Sequence, residues 1–199
     1  MWLIHGTFSN ASKGWDLEFR QFISNSFQET VETFDWSKWY GGNLDGTRRK
    51  AAEKLATEIS QWYNQNDGGT IRLVAHSHGG NIAILAANIL EEEYGISTET
   101  LITIGTPVRE YQLESSVGQH INVYNNYDSV QVLGGPYKKI AGRYHTIVPA
   151  IRIFSNAENI KVILPEDKRN ILKYGLENHS SMHNNIEVWK EYILPLIKK

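Results

Sequence analysis

Short apolar runs alternate with longer amphipathic segments along nearly the whole chain. The apolar runs are three to six residues long and are rich in β-branched and aromatic residues. Runs of this kind are typical of strands that are buried on both faces of a sheet. The pattern therefore predicts six strands, over residues 2–4, 31–36, 71–75, 101–104, 121–124 and 160–164.

Between these runs, apolar residues recur at intervals of three and four, as on the buried face of an α-helix. Strand–helix alternation is typical of parallel βαβ units with right-handed crossovers. We expect one α/β domain over residues 1–199, with about six mostly parallel strands and helices on both faces. Ligand sites of such sheets lie beyond the C-terminal ends of the strands, so the residues there are the first candidates for chemistry. The spacing predicts helices over residues 15–26, 48–63, 80–94 and about 186–197.

Composition excludes several classes of protein. The 199 residues are 41% hydrophobic and 21% charged, which is typical of a folded globular domain, and a net charge of −2 gives no indication of nucleic-acid binding. The absence of cysteine excludes disulfides, a thiol nucleophile and a Cys-ligated zinc site. No transmembrane segment or signal peptide is expected from the hydropathy pattern, which slightly favours the cytoplasm and leaves the compartment and oligomeric state open.

The clearest candidate for chemistry is Ser77, which lies where the third predicted strand meets a helix. The residues two before and two after it are small, Ala75 and Gly79. A serine on so sharp a turn projects its hydroxyl above the sheet, and larger neighbours at these positions would clash. Serine also needs a base within hydrogen-bond reach to act as a nucleophile. The pattern predicts a nucleophilic Ser77, with a plain Gly-rich strand-to-helix turn, with or without phosphate binding, as the alternative.

The loop after the first predicted strand begins with His5 and a glycine and continues with Thr7. Backbone N–H groups aimed at a developing oxyanion are the strongest single aid to acyl transfer. We assign the backbone N–H groups of Thr7 and His78 to such an oxyanion hole. His5 is expected to orient this loop at the border of the substrate pocket. Trp39 and Tyr40, which follow the second strand, are expected to wall the acyl pocket, with plain packing as the alternative.

An acid and a base are expected further along the chain. Asp128 follows the fifth strand, where an acid would orient an imidazole, and Asp35 is the reserve candidate. Two histidines compete as the base. His179 is favoured because it lies further into the loop between polar neighbours, whereas His183 adjoins the start of the last helix. The order serine, acid, histidine is the one that this architecture uses.

Taken in order, these motifs resemble those of α/β-hydrolases, particularly small bacterial lipases and esterases with Ala-His-Ser-x-Gly in place of Gly-x-Ser-x-Gly. The resemblance implies a minimal fold without the first two strands of larger members, no cofactor, and a small-molecule or lipid ester as substrate. It also implies hydrolysis through a Ser77–His179–Asp128 triad and an acyl-enzyme. The matching residues are spread along almost the whole chain: 5–7, 75–80, 104–107, 128 with 130, and 179–180.

Several alternatives stay open or are disfavoured. His76 and His78 have the spacing of a metal-ligand pair, but no carboxylate motif such as His-Glu-x-x-His accompanies them, so no metal is expected. Neither Gly-x-Gly-x-x-Gly nor a Gly-Lys-Ser loop occurs. An inactive binding module of the same fold, or a phospholipase, thioesterase or amidase with the same triad, stays open because the pocket decides the substrate. Residues 134–157 are the expected substrate-shaping loop.

Overall fold

A computed structural model describes residues 1–7, 9–36, 44–135, 137–140, 144–147 and 149–197. Within these residues a six-stranded sheet has the spatial order β2-β1-β3-β4-β5-β8, and all five neighbouring pairs are parallel. The remaining two strands, β6 and β7, form a separate antiparallel pair. The strands are β1 (Trp2–Ile4), β2 (Glu32–Phe34), β3 (Arg72–His76), β4 (Thr100–Ile104), β5 (Gln119–Tyr124), β6 (Tyr137–Ile140), β7 (Tyr144–Ile147) and β8 (Glu158–Lys161).

Helices connect most of the consecutive strands of the main sheet, but the connection between β4 and β5, residues 105–118, contains no helix. The last helix of the chain follows β8 and continues as a π-helical turn, Trp189–Ile193, and a 3-10 turn, Leu194–Leu196, which contains Pro195. No helix in the described part of the chain is long and apolar enough to span a membrane. The helices are α1 (Ala11–Gly14), α2 (Leu17–Phe27), α3 (Asp45–Gln65), α4 (His78–Tyr94), α5 (Ser129–Leu133), α6 (Ile171–Ser180) and α7 (Ile186–Val188).

Two apolar clusters cover the two faces of the sheet. Ile4 of β1 and Leu73 of β3 belong to the cluster that contains the buried residues of α3 and α4. Leu3 and Val74, their neighbours in sequence, belong to the cluster that contains α2 and the C-terminal turns. Successive strand residues point to opposite faces, so this division means that both faces are covered by helices. The predicted fold class, a mostly parallel α/β sheet of about six strands, is confirmed.

The sequence pattern missed the helix α6, and the expectation that His179 lies in a loop is wrong: it lies in the last turn of α6. The leucines of α6, Leu172 and Leu176, are 96% and 75% exposed, so the segment has no buried apolar stripe. Gly175 weakens the helical pattern of the sequence further, and it is required there because a Cβ would lie 2.2 Å from Ser129 Oγ. The side chain of Asn170 caps the helix by accepting from two backbone N–H groups.

Several other element boundaries differ from the sequence expectation. The predicted strand over 160–164 is observed as Glu158–Lys161, and the predicted regular helix over about 186–197 is three short turns of different pitch. The predicted substrate-shaping loop contains the β6–β7 pair. Trp39 and Tyr40, predicted to wall the acyl pocket, lie outside the described residues.

Candidate active site

Ser77 lies on the turn between β3 and α4 in a backbone conformation that non-glycine residues rarely adopt. Its φ is 56° and its ψ is −134°. Such a residue carries a conformational cost of roughly 1–3 kcal/mol and persists only where its surroundings hold it in place. Here the backbone N–H of Ser77 donates to the carbonyl of Ile104 at the end of the neighbouring strand, at 2.9 Å. The neighbouring strand therefore helps to keep this serine at the C-terminal edge of the sheet.

Glycines allow the chain to pack closely around this turn. A Cβ on Gly79 would lie 2.5 Å from the carbonyl oxygen of His5, and a Cβ on Gly6 would lie 2.8 Å from Ser77 Cβ. A Cβ on Gly80 would lie 2.0 Å from Thr106 Oγ1. The loop after β1 and the first turn of α4 are therefore in direct backbone contact on either side of Ser77. This contact is the physical reason for the small residue that the sequence shows two positions after the serine.

Asp128 and His179 form a buried pair beside this turn. His179 Nδ1 lies 2.7 Å from Asp128 Oδ2, and the carboxylate is fully buried. The other carboxylate oxygen, Oδ1, accepts from the backbone N–H of Gln131 at 2.8 Å, so Asp128 is also the N-cap of α5. Since Nδ1 of His179 faces the acid, Nε2 is the ring nitrogen left for another partner. The helix cap fixes the carboxylate, and the carboxylate in turn fixes the imidazole.

Gly105 provides the space for this pair, a role that the sequence interpretation did not assign. Its φ is +59°, and a Cβ there would lie 3.2 Å from Asp128 Oδ2 and 3.3 Å from His179 Nδ1. A glycine directly after a predicted strand is the sequence feature from which this role could have been inferred, since glycine is the usual residue where the backbone needs a positive φ.

A cavity of about 300 Å³ brings several of the predicted site residues together. Its lining includes Ser77, His179 and Thr7, and also His183. His78 does not line it but is the first residue of α4, where backbone N–H groups have no acceptor within the helix. The structure therefore brings the proposed nucleophile and base to one cavity.

Three histidine rings lie in a row beside this cavity. The ring of His76 lies between the other two, with its centroid 4.7 Å from that of His179 and 3.9 Å from that of His183. His76 Nε2 donates to the backbone carbonyl of His179 at 3.0 Å. Burial lowers the pKa of His76 well below its usual value, and the neighbouring histidines add to this. His76 is therefore neutral near pH 7, and the sequence interpretation had assigned it no role in the site.

His183, the alternative base, has a different partner. Its Nε2 donates to the backbone carbonyl of Gly14 at 2.9 Å, and its ring meets Trp15 edge-on. Burial lowers the pKa of His183 to about 4. The carboxylate of Asp128 contacts His179, so the proposed acid is paired with the favoured histidine. His183 instead connects the loop before α7 to α1.

His5 and the reserve acid, Asp35, lie together on the far side of the loop. His5 is 1% exposed and does not line the cavity; its Nδ1 donates to Gly6 O at 2.7 Å and its ring stacks on Trp36. Asp35 Oδ1 lies 3.2 Å from His5 Nε2. The geometry of His5 fits the expected orienting role. Asp35 contacts His5, whereas the carboxylate that contacts His179 is that of Asp128.

The rings of His76 and His78 contact different residues, whereas two ligands of one metal ion would face the same site. The ring of His78 lies against Gly134, where a Cβ would be 3.2 Å from His78 Nε2. Burial, together with the charges of Arg48 and Arg109, lowers the pKa of His78 to about 3. Within the described residues, no group of three or more His, Asp or Glu side chains is arranged to hold a metal ion.

The family model for lipase (class 3) matches residues 3–133, about two thirds of the chain. The chain belongs to this family. The match includes Ser77 and Asp128 and ends before His179. Membership of the class 3 lipase family makes the chain a hydrolase of the lipase and esterase type with an α/β-hydrolase fold. No curated protein matches the sequence.

Two solved structures share the fold of this class 3 lipase family member. One is from Xanthomonas campestris pv. campestris and carries the name of an alpha/beta-superfamily hydrolase, with a TM-score of 0.53, 15% identity, and coverage of 90% of this chain and 95% of that chain. The other is a gene product from Listeria innocua, with a TM-score of 0.59, 14% identity, and coverage of 100% and 94%. At these identities the likeness shows the fold alone.

Proposed function

We propose that this chain hydrolyses carboxylic esters, with Ser77 as nucleophile, His179 as general base and acid, and Asp128 as the group that orients His179. The observation that carries the proposal is the 2.7 Å contact of His179 Nδ1 with Asp128 Oδ2, at a cavity that His179 shares with Ser77. A strained serine, an imidazole and a buried carboxylate in this order form the constellation that activates a hydroxyl for acyl transfer.

In the first half of the proposed reaction, His179 Nε2 takes the proton of the Ser77 hydroxyl as Oγ bonds to the ester carbonyl carbon. The resulting imidazolium is stabilised by the carboxylate of Asp128. The tetrahedral intermediate then loses its alcohol when the carbon–oxygen bond breaks and His179 returns the proton to the leaving oxygen. The products of this half are a free alcohol and an acyl group on Ser77.

The negative charge of the tetrahedral intermediate needs donors that are already in place. We assign the backbone N–H groups of Thr7 and His78 to this role. Gly6 and Gly79 support the assignment, because their lack of side chains brings the loop after β1 against the turn of Ser77. Removing one such donor typically costs on the order of 10²–10³ in rate.

Deacylation uses the same groups in the reverse order. Water gives a proton to His179 Nε2 as its oxygen bonds to the acyl carbon, and the acid is released when His179 returns that proton to Ser77 Oγ. Membership of the lipase family supports an ester, either of a small molecule or of a lipid, as the substrate.

The direct test is covalent labelling of the folded protein with a fluorophosphonate, followed by mass spectrometry of the labelled peptide. We expect one adduct, on Ser77, and loss of both labelling and hydrolysis of short p-nitrophenyl esters in Ser77→Ala. The matched control is Ser60→Ala, a buried serine in α3 away from the cavity. A native chain that neither labels nor hydrolyses esters would be an inactive binding module.

A further inference from the structure

Loops take the place of a helix on one face of the sheet next to β5. Residues 105–118, between β4 and β5, contain no helix, and Leu113 and Val117 of this connection pack against the cluster of α3 and α4. Phe154, from the segment before β8, packs there too. Parallel sheets are normally covered by helices on both faces. Two cavities, of about 370 Å³ and 180 Å³, are lined by residues of these loops.

His120, on β5, is the buried polar residue that lines both cavities. The described residues that line them are all different from those that line the cavity beside Ser77. Burial lowers the pKa of His120 to about 4, so its ring is neutral near pH 7. A neutral imidazole has one N–H group and one nitrogen with a free lone pair. The hydrogen bonds around the ring decide which nitrogen is which.

A chain of hydrogen bonds that begins at the backbone fixes the proton on His120. The backbone N–H of Phe154 donates to Asn159 Oδ1 at 3.0 Å, and Asn122 Nδ2 donates to the same oxygen at 2.8 Å. Asn122 Oδ1 is therefore an acceptor, and it takes the hydroxyl proton of Thr103 at 3.1 Å. Because Thr103 has only that proton, its oxygen accepts from His120 Nε2 at 3.0 Å. His120 thus carries its proton on Nε2 and its lone pair on Nδ1.

The lone pair of His120 is accessible from the cavities. Nδ1 makes no hydrogen bond within the described residues, whereas Nε2 is held by Thr103. Nor is Nδ1 among the side-chain atoms that are fully buried without a partner. A buried ring with one accessible acceptor can be satisfied by a molecule that enters a cavity and donates a hydrogen bond.

The smaller cavity is suited to an apolar body. Its lining includes Val108, Ile151, Ile153 and Phe154, and the two isoleucines are exposed at it. An apolar cavity of roughly 150 Å³ is large enough to hold a benzene ring. The remaining side chains that line it are exposed polar residues, Gln112, Ser155 and Asn156, and the aromatic or aliphatic residues Tyr111 and Leu113. One aromatic ring therefore fits beside the ring of His120.

The charge of the larger cavity excludes one class of ligand. Glu158 lines it, and the lone pair of His120 is the acceptor at its junction with the smaller cavity. A carboxylate and a neutral acceptor both disfavour an anion, which would bring a further negative charge. A neutral molecule that donates a hydrogen bond meets neither obstacle.

We propose that the cavities at His120 form a second binding site, for a small neutral molecule whose hydroxyl or N–H donates to His120 Nδ1 and whose apolar body packs against Ile153 and Phe154, as a phenol would. The site is separate from the cavity beside Ser77, so the proposal does not depend on the proposed ester hydrolysis.

The test compares phenol with fluorobenzene, which has nearly the same shape and no hydrogen-bond donor. An NMR titration of the folded native chain follows the ring nitrogens of the histidines. We expect phenol to shift the Nδ1 signal of His120 saturably. The ratio of the two dissociation constants, fluorobenzene over phenol, should be about fivefold higher in the native chain than in His120→Phe, the usual contribution of one neutral hydrogen bond.

A second variant tests the cavity without touching the hydrogen bonds of His120. Ile153→Trp places an indole at the exposed edge of the smaller cavity and should weaken the binding of both probes. Ile163→Trp is the matched control, because Ile163 is an exposed isoleucine that lines neither cavity. The control should bind both probes as the native chain does.

An equal ratio of dissociation constants in the native chain and in His120→Phe would overturn the proposal, as would phenol binding that Ile153→Trp leaves unchanged. If His120→Phe does not fold, the native chain decides. A saturable shift of His120 Nδ1 with phenol and not with fluorobenzene supports the site. Equal shifts with both probes, or none with phenol, would mean that water alone meets the lone pair, and would refute it.

Discussion

The ring of His76 donates a hydrogen bond to the backbone carbonyl of His179 at 3.0 Å. The residue directly before the proposed nucleophile therefore holds the residue that carries the proposed base. His179 Nδ1 contacts Asp128 at the same time, so His179 is held both at its backbone carbonyl and at its ring. Loss of either contact leaves the ring free to turn away from Ser77.

His76→Leu should lower ester hydrolysis about tenfold, equivalent to ~1.4 kcal/mol of transition-state stabilisation. The expected effect is on kcat with little change in KM, because the hydrogen bond positions the base and does not touch the substrate. His76→Gln retains a side-chain donor and should recover part of the loss. Steady-state kinetics with a p-nitrophenyl ester measures both values, and equal losses in the two variants would contradict a positioning role.

Alanine substitutions of the two histidines that compete as the base should have different effects on kcat. His179→Ala should reduce kcat by at least about 10³, because proton transfer to and from Ser77 is lost. His183→Ala should reduce it far less, since the contacts of His183 are with Gly14 and Trp15. Near-native activity of His179→Ala, measured on a chain with unchanged circular dichroism, would overturn the assignment of the base.

Gly105→Ala should lower activity more than its effect on stability explains. The new Cβ meets Asp128 Oδ2 at 3.2 Å and His179 Nδ1 at 3.3 Å and should displace the pair. Gly95→Ala is the matched control: its φ of +66° is as unfavourable for alanine, but a Cβ there has open space. Both should lose about 1 kcal/mol of the free energy of unfolding from backbone strain. Urea denaturation and ester kinetics separate the two effects, and equal activities would refute the contact.

The free energy of unfolding should fall as the pH is lowered from about 6.5 towards 4. Burial lowers the pKa of His183 to about 4 in the folded chain, against an unfolded value near 6.5. Between these values the unfolded chain binds more protons, so stability rises with pH and is fully present above 6.5. His183→Gln should reduce the slope by up to ~1.4 kcal/mol per pH unit, as measured by urea denaturation between pH 4 and 7. An unchanged slope would mean that His183 does not titrate with unfolding.

Much of the fold follows from local pattern. The six strands of the main sheet were predicted from short apolar runs, because a strand buried on both faces has to be apolar along its length. The sharp turn at Ser77 was predicted from the small residues around it for a similar reason, since the sterics of such a turn act on immediate neighbours. Helix α6 escaped prediction because the residues that it buries, Gly175, Asn178 and His179, form no apolar stripe in the sequence.

The amino-acid sequence by itself determined the strand–helix alternation, the position of Ser77 at a strand end and the set of candidate acids and bases. Each depends on side-chain size, polarity and spacing within a few residues. Only the tertiary structure decided that Asp128 and His179, 51 positions apart, are in contact, and that Gly105 makes room for them. The reason is physical: that contact depends on how β4, α5 and α6 pack together, and no local periodicity records such packing.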